Sequence, residues 1–213
     1  MDRKNVDYQY YYWGPFLFHS NIKPEECQML LEEGKKVRDE SKKFTAKLAG
    51  HIEEEYELNS KIMKPLLTEY LGAYCSGFNN VVTGTNFLKP DFGLLNTWIN
   101  YMKAGEFNPP HVHVGDLSYV IFLDMPNQIT EEGKKFKGSG KGPGYICWIY
   151  GDGDHLYSTS RYLLPKTGDI FIFPANLRHF VFPFKSQVTR ISLSGNVVLK
   201  QMREMKENGK GAN

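Results

Sequence analysis

His111 and His113, one residue apart, and His179 far downstream are the side chains of this 213-residue chain whose types and spacing most plainly permit chemistry. On an extended strand, side chains at i and i+2 share a face, so His111 and His113 can aim two imidazoles at one point. The run Pro174-Ala175-Asn176-Leu177-Arg178-His179 offers a third from a distant strand. Three such ligands form a facial triad on a divalent metal and leave its other positions open for substrate and oxygen. Asp116, three residues past His113, is the alternative second ligand. On a regular strand i+3 faces the other way, but the loop Val114-Gly115-Asp116 can depart from that rule.

Arg190 and Ser192 also alternate onto one face of a strand, eleven and thirteen residues after His179. An arginine can hold a carboxylate with a bidentate fork, and a serine hydroxyl can add to it. Tyr101, ten residues before His111, could supply a third contact. Three imidazoles alone accept Fe(II), Zn(II), Cu(II) or Ni(II). A carboxylate clamp beside them favours iron with a 2-oxo acid, whose near end chelates the metal while its far carboxylate needs an opposite charge. Trp98 and Asn100 share a face opposite to Tyr101, so if Tyr101 points into the barrel they point out.

The elements that must position these residues follow from periodicity. Pro24 opens a helix with Cys27, Leu30, Leu31, Gly34 and Val37 on one face. A second helix is expected from Asn59 to Cys75, with a stripe of Ile62, Leu66, Leu67, Tyr70, Leu71 and Tyr74, its regular part beginning near Pro65. From Val81 onward the chain is β-rich, with runs at 94–102, 117–124, 144–150, 162–164, 169–173, 180–184 and 188–199. This pattern predicts an α+β, mostly β fold: a jelly roll (double-stranded β-helix) with two N-terminal helices packed on one sheet. A single domain over 1–213 is expected, with an extended segment and helical flank at 1–80, a catalytic core at 81–200 and a polar tail at 201–213. The segment 131–143 has little to bury and reads as a mobile loop, either a basic lid or an insertion.

Composition excludes several classes. A net charge of +2 creates no field that favours nucleic acid or an anionic membrane. Cys27, Cys75 and Cys147 are odd in number, widely spaced and set in apolar patterns, which suits buried free thiols rather than a disulfide framework. No run approaches a membrane span and no apolar leader opens the chain, so a cytoplasmic protein is expected. The N-terminal aromatics Tyr8, Tyr10, Tyr11, Tyr12, Trp13, Phe16 and Phe18 suggest edge packing over base stacking, since no basic residues interleave them. Other histidines carry weaker signals. His51 adjoins the acidic run Glu53-Glu54-Glu55, which reads as a solvated face, and His155 lies in an acidic loop too short for a calcium motif. Arg178 reads as a surface cation.

Taken together, Asn100-Tyr101, Gly105, His111-x-His113, Ser118-Tyr119-Val120-Ile121-Phe122-Leu123, Pro165-x-x-Gly168-Asp169-Ile170-x-x-Phe173-Pro174, His179, Arg190-x-Ser192 and Asn196 resemble the 2-oxoglutarate/Fe(II) oxygenases of bacteria and marine phages, distant relatives of prolyl 4-hydroxylases. The resemblance is strong from about Asn96 to Val198, although the wider superfamily has His-x-Asp or His-x-Glu where this chain has His-x-His. It implies Fe(II), 2-oxoglutarate as co-substrate, O2, and ascorbate as a stimulant. It also implies oxidation of a C–H bond in a small molecule or a protein side chain, in the host cytoplasm if the chain is phage-encoded, with a homodimer as a fair expectation. Two other classes compete. A cupin-type dioxygenase or isomerase would use the histidines without 2-oxoglutarate, and a metal-free binding sandwich would use the N-terminal aromatics.

Overall fold

The computed structural model describes residues 14–40, 43–151 and 158–210. The aromatic run from Tyr8 to Trp13 and the acidic loop at His155 lie outside these residues. Two antiparallel sheets face each other. The larger contains β1 (Phe18–Asn21), β2 (Glu55–Glu57), β3 (Phe92–Met102), β5 (Leu117–Asp124), β8 (Asp169–Pro174) and β10 (Arg190–Leu199), in the order β1-β8-β5-β10-β3-β2. The smaller contains β4 (Asn108–His111), β6 (Ile146–Ile149), β7 (Ser160–Leu163) and β9 (Arg178–Val181), in the order β4-β9-β6-β7. This is the expected jelly roll, and α1 (Pro24–Asp39) and α2 (Met63–Phe78) are the two expected helices.

Local chemistry explains the helices. Pro24 sits in the first turn of α1, where its missing N–H costs nothing, and Glu26 accepts from the Lys23 backbone N–H at 2.8 Å. Cys27, Leu30 and Gly34 face inward. Pro65 lies in the first turn of α2, and Met63, Leu66, Leu67, Tyr70, Leu71, Tyr74 and Cys75 form its buried stripe. These stripes join Ile99, Tyr101, Tyr119, Ile121 and Leu193 in a core on the outer face of the larger sheet. A second core of Met102, Val120, Phe122, Ile146, Trp148, Phe171, Phe173 and Val181 lies between the sheets. The larger sheet is thus buried on both faces, which is why β5 reads as an almost unbroken apolar run. The three cysteines are buried and free. No helix among the described residues is long and apolar enough to cross a membrane.

Three details alter or add to the sequence-based picture. Residues 127–134 form a helix, α3 (Asn127–Lys134), so the start of the supposed loop at 131–143 is ordered. Buried Ile129 anchors it, and the Glu132 carboxylate accepts from the Ser186 N–H and hydroxyl, each at 2.7 Å, and from the Lys185 N–H at 2.9 Å. Second, residues 201–210 of the polar tail lie in a helix, α4 (Lys200–Lys210). Third, the Pro109-Pro110 stretch lies within a strand, β4. It survives because β4 is a sheet edge, where absent N–H donors leave no ladder bond broken.

One glycine is fixed by packing. Gly195 of β10 lies between Thr97 of β3 and Tyr119 of β5, and over it the Tyr119 hydroxyl bonds the Thr97 hydroxyl at 2.8 Å. A Cβ at 195 would lie 2.6 Å from the Asn96 carbonyl oxygen, a backbone atom. Gly195→Ala is therefore expected to destabilise the fold by about 1–3 kcal/mol and Tyr119→Phe by about 1 kcal/mol, as read from urea denaturation.

Candidate metal centre and anion pocket

Antiparallel register sets His111 of β4 directly opposite His179 of β9. His113 follows in the loop, where its N–H is held by the Ala175 carbonyl at 2.8 Å. The ligand-type atoms of the three histidines all lie within 4.8 Å of one another. Nδ1 of His111 is 2.6 Å from the Pro109 carbonyl oxygen, and Nδ1 of His179 is 2.9 Å from that of Leu177. A carbonyl only accepts, so both Nδ1 atoms carry the proton and both Nε2 lone pairs are left for a metal. Burial pushes the imidazole of His179 down to about 3 and that of His113 down to about 4, with the neighbouring His111 adding to each. Burial also lowers His111. Three neutral imidazoles converging on one point are a ligand set ready for a divalent cation.

Asp116 is not part of this cluster. Its carboxylate accepts from the Leu199 N–H at 2.8 Å, its N–H donates to the Val197 carbonyl at 2.8 Å, and its carbonyl accepts from the Ala175 N–H at 3.1 Å. It fastens the loop after β4 to the end of β10. Between His113 and Asp116, the geometry favours the histidine as second ligand.

The cavity beside the histidines is lined by Trp98, Asn100, Phe122, Phe173, Arg190 and Ser192, among others. Arg190 is 1% exposed. Its Nη2 donates to the Met102 sulfur at 2.7 Å, its Nη1 reaches the Gly144 carbonyl at 3.4 Å, and its guanidinium lies over the Phe122 ring at 5.6 Å. Its Nε has no partner, and no carboxylate pairs with it among the described residues. Burial lowers it to about 10, so it remains a cation at neutral pH. A buried guanidinium with an unpaired N–H is what a carboxylate would complete, and the neighbouring histidines fit a metal: both groups of a metal/2-oxo acid site have matching residues.

Tyr101 is not in this cavity, which corrects the sequence-based expectation. β10 pairs with β3 so that Arg190 opposes Met102, Ser192 opposes Asn100 and Ile191 opposes Tyr101. Cross-strand partners share a face, so Asn100 and Trp98 point inward with Arg190 and Ser192. Tyr101 points out, under α1, with the Arg38 guanidinium 4.6 Å from its ring and Tyr56 at its edge. Asn100 lines the cavity instead, and its Nδ2 lies 3.3 Å from the Ser192 hydroxyl. Sequence reasoning also missed Glu55, which lines the cavity while being 1% exposed. Only its alternation with Tyr56 and Leu58 hinted at a strand face.

The second-ligand question has a direct check. His113→Ala is expected to lose metal on dialysis. Asp116→Ala is expected to keep it and to lose about 1–2 kcal/mol of stability. Metal content by mass spectrometry together with denaturant titration reads both, and metal loss in Asp116→Ala alone would reverse the assignment.

Residues 96–196 match the family model described as "Putative 2OG-Fe(II) oxygenase". No curated protein sequence matches the chain. Among solved structures, a prolyl-4-hydroxylase from Pseudomonas putida superposes with a TM-score of 0.53 at 14% identity, covering 84% of this chain and 90% of that one. A prolyl hydroxylase from Trichoplax adhaerens, in complex with a hypoxia inducible factor peptide fragment, gives 0.56 at 10% identity, over 89% of this chain and 86% of that one. HygX from Streptomyces hygroscopicus, with nickel and 2-oxoglutarate bound, gives 0.50 at 8% identity, over 87% and 82%. These likenesses establish a shared fold. The matched segment, just under half of the chain, carries all the cavity lining except Leu48, Ala49 and Glu55, and over it the chain is similar to the 2OG-Fe(II) oxygenases.

Proposed function

We propose that the chain is an Fe(II)- and 2-oxoglutarate-dependent hydroxylase in which His111, His113 and His179 hold the metal and Arg190, aided by Ser192, holds the distal carboxylate of the co-substrate. The observation that carries this is Arg190. A guanidinium 1% exposed, with no carboxylate paired to it among the described residues, stands in the same cavity as three converging imidazoles. Leaving a buried charge uncompensated costs several kcal/mol, and an entering carboxylate offsets that cost.

When bound, the metal and co-substrate supply oxidative decarboxylation: substrate C–H, 2-oxoglutarate and O2 become substrate C–OH, succinate and CO2. The chain's own residues position and protect. The Pro109 and Leu177 carbonyls hold two ligand imidazoles in the tautomer that presents Nε2. Arg190 fixes the far end of the co-substrate and so orients its near end toward the histidines. Phe122, Ile146, Phe173 and Val181 line the cavity with hydrocarbon and keep bulk water from the reacting centre. The substrate is a small molecule or a protein side chain presented at the mouth of the barrel.

Calorimetric titration of 2-oxoglutarate into the Mn(II)-loaded protein without oxygen tests the reading. Arg190→Ala is expected to keep fold and metal while losing at least about a hundredfold in 2-oxoglutarate affinity, about 3 kcal/mol. Arg190→Lys should recover only part, because an ammonium makes no planar fork. Unchanged affinity in Arg190→Ala, or no binding by the parent, would leave a three-histidine metal site that works without 2-oxoglutarate.

A further inference from the structure

Resting on the oxygenase reading above, we propose that Glu55 is the substrate-recognition residue of this site, and that with Asn100 it binds a cationic donor group of the substrate, an ammonium or a guanidinium. β2 pairs with β3 so that Glu55 stands beside Asn100, which in turn stands beside Ser192 of β10. The three side chains form one row across the inner face of the larger sheet, and all three line the cavity of the histidines. Glu55 is 1% exposed and is the one acid in that lining among the described residues. Its Oε2 has no hydrogen-bond partner, and neither has Oδ1 of Asn100. The Asn100 amide is oriented by its contacts. Its Nδ2 lies 3.4 Å from the Ser192 carbonyl, which can only accept, so Oδ1 is turned away as a free acceptor.

Two adjacent buried acceptors without donors call for a ligand group that brings several. The co-substrate cannot be that group, since 2-oxoglutarate at neutral pH has no N–H or O–H to give and is itself an anion. An ammonium offers three donors and a guanidinium five, each with the charge a buried carboxylate lacks. Burial pushes the Glu55 carboxyl up to about 8, and the charge of Glu106 adds to this, so the empty site holds a proton that an arriving cation displaces. Close packing confines the group. A Cβ added at Gly50 would lie 3.3 Å from Glu55 Oε1 and within contact of Asn108 Oδ1, so the loop before β2 closes over this end of the cavity. The cavity then carries two buried groups without an ion-pair partner among the described residues, the Arg190 cation for the co-substrate and the Glu55 carboxyl, which becomes an anion on meeting the cation of the substrate.

Saturation-transfer NMR on the full-length protein tests this, with n-butylammonium as probe and 1-butanol as its neutral isostere. The probes are compared on the metal-free protein and on protein loaded with Zn(II) and 2-oxoglutarate. The parent is expected to bind butylammonium at least about tenfold more tightly than 1-butanol, the effect of one charge-assisted hydrogen bond. Glu55→Gln, which keeps shape and removes charge, is expected to abolish the preference while leaving 2-oxoglutarate affinity unchanged. A parent with no preference for the cation, or a preference that persists in Glu55→Gln, would overturn the proposal. Failure of the parent to bind 2-oxoglutarate would instead count against the oxygenase reading, since the cation preference is also read without metal or co-substrate.

Discussion

The site depends first on the register of β10, the strand held between β3 and β5. Its pairing sets Arg190 against Met102, Ser192 against Asn100 and Phe122, and Ser194 against Trp98 and Val120. A slip of one residue on a pleated strand exchanges its two faces. Here it would carry Arg190 and Ser192 out beneath the helices and bring Ile191 and Leu193 into the cavity. The register is fastened on the helix side, where Gly195 leaves room for the hydroxyl bridge from Tyr119 to Thr97. Fold and anion pocket are thus two consequences of one alignment.

The histidine cluster was legible in the sequence because its information is local. His111-x-His113 needs only an extended backbone to converge, and His179 follows the short turn that opens after Pro174. The helices and the jelly roll were legible for the same reason, through periodicity. Tyr101 was not, because β3 is apolar on both faces. Trp98 and Asn100 alternate with Ile99 and Tyr101, and nothing within the strand says which pair faces the other sheet. Pairing with a strand about ninety residues away decides it. Glu55 was hidden for a related reason. Glu53, Glu54 and Glu55 look alike in sequence, yet Glu54 pairs with Lys103 and Arg38 near the surface while Glu55 is carried inward by β2. The start of α3 was masked by its charges, since Glu131 and Glu132 resemble a solvated run until Glu132 is seen to cap the Lys185–Ser186 backbone.

The cavity is costly to the fold. A guanidinium without a carboxylate, an acid without a donor and three neutral imidazoles are all held away from water, and hydrocarbon in their places would give a more stable protein. Local rules that hold elsewhere in the chain fail together at this one place, as expected where stability is given up for binding. The two helices on the opposite face, with Leu30, Met63, Leu67 and Leu71 fully buried, supply apolar burial that offsets that loss.

The ligand imidazoles have a further property. His111 and His179 are each oriented by the backbone carbonyl two residues earlier, Pro109 in β4 and Leu177 in the turn before β9, not by a neighbouring side chain. Their aim is therefore built into the backbone and persists when the metal departs. In the proposed metal site an ion would then leave and return without a refolding step. For a centre that binds a labile divalent cation, a cradle that outlasts its occupant makes loss of the metal a reversible event in the life of the protein.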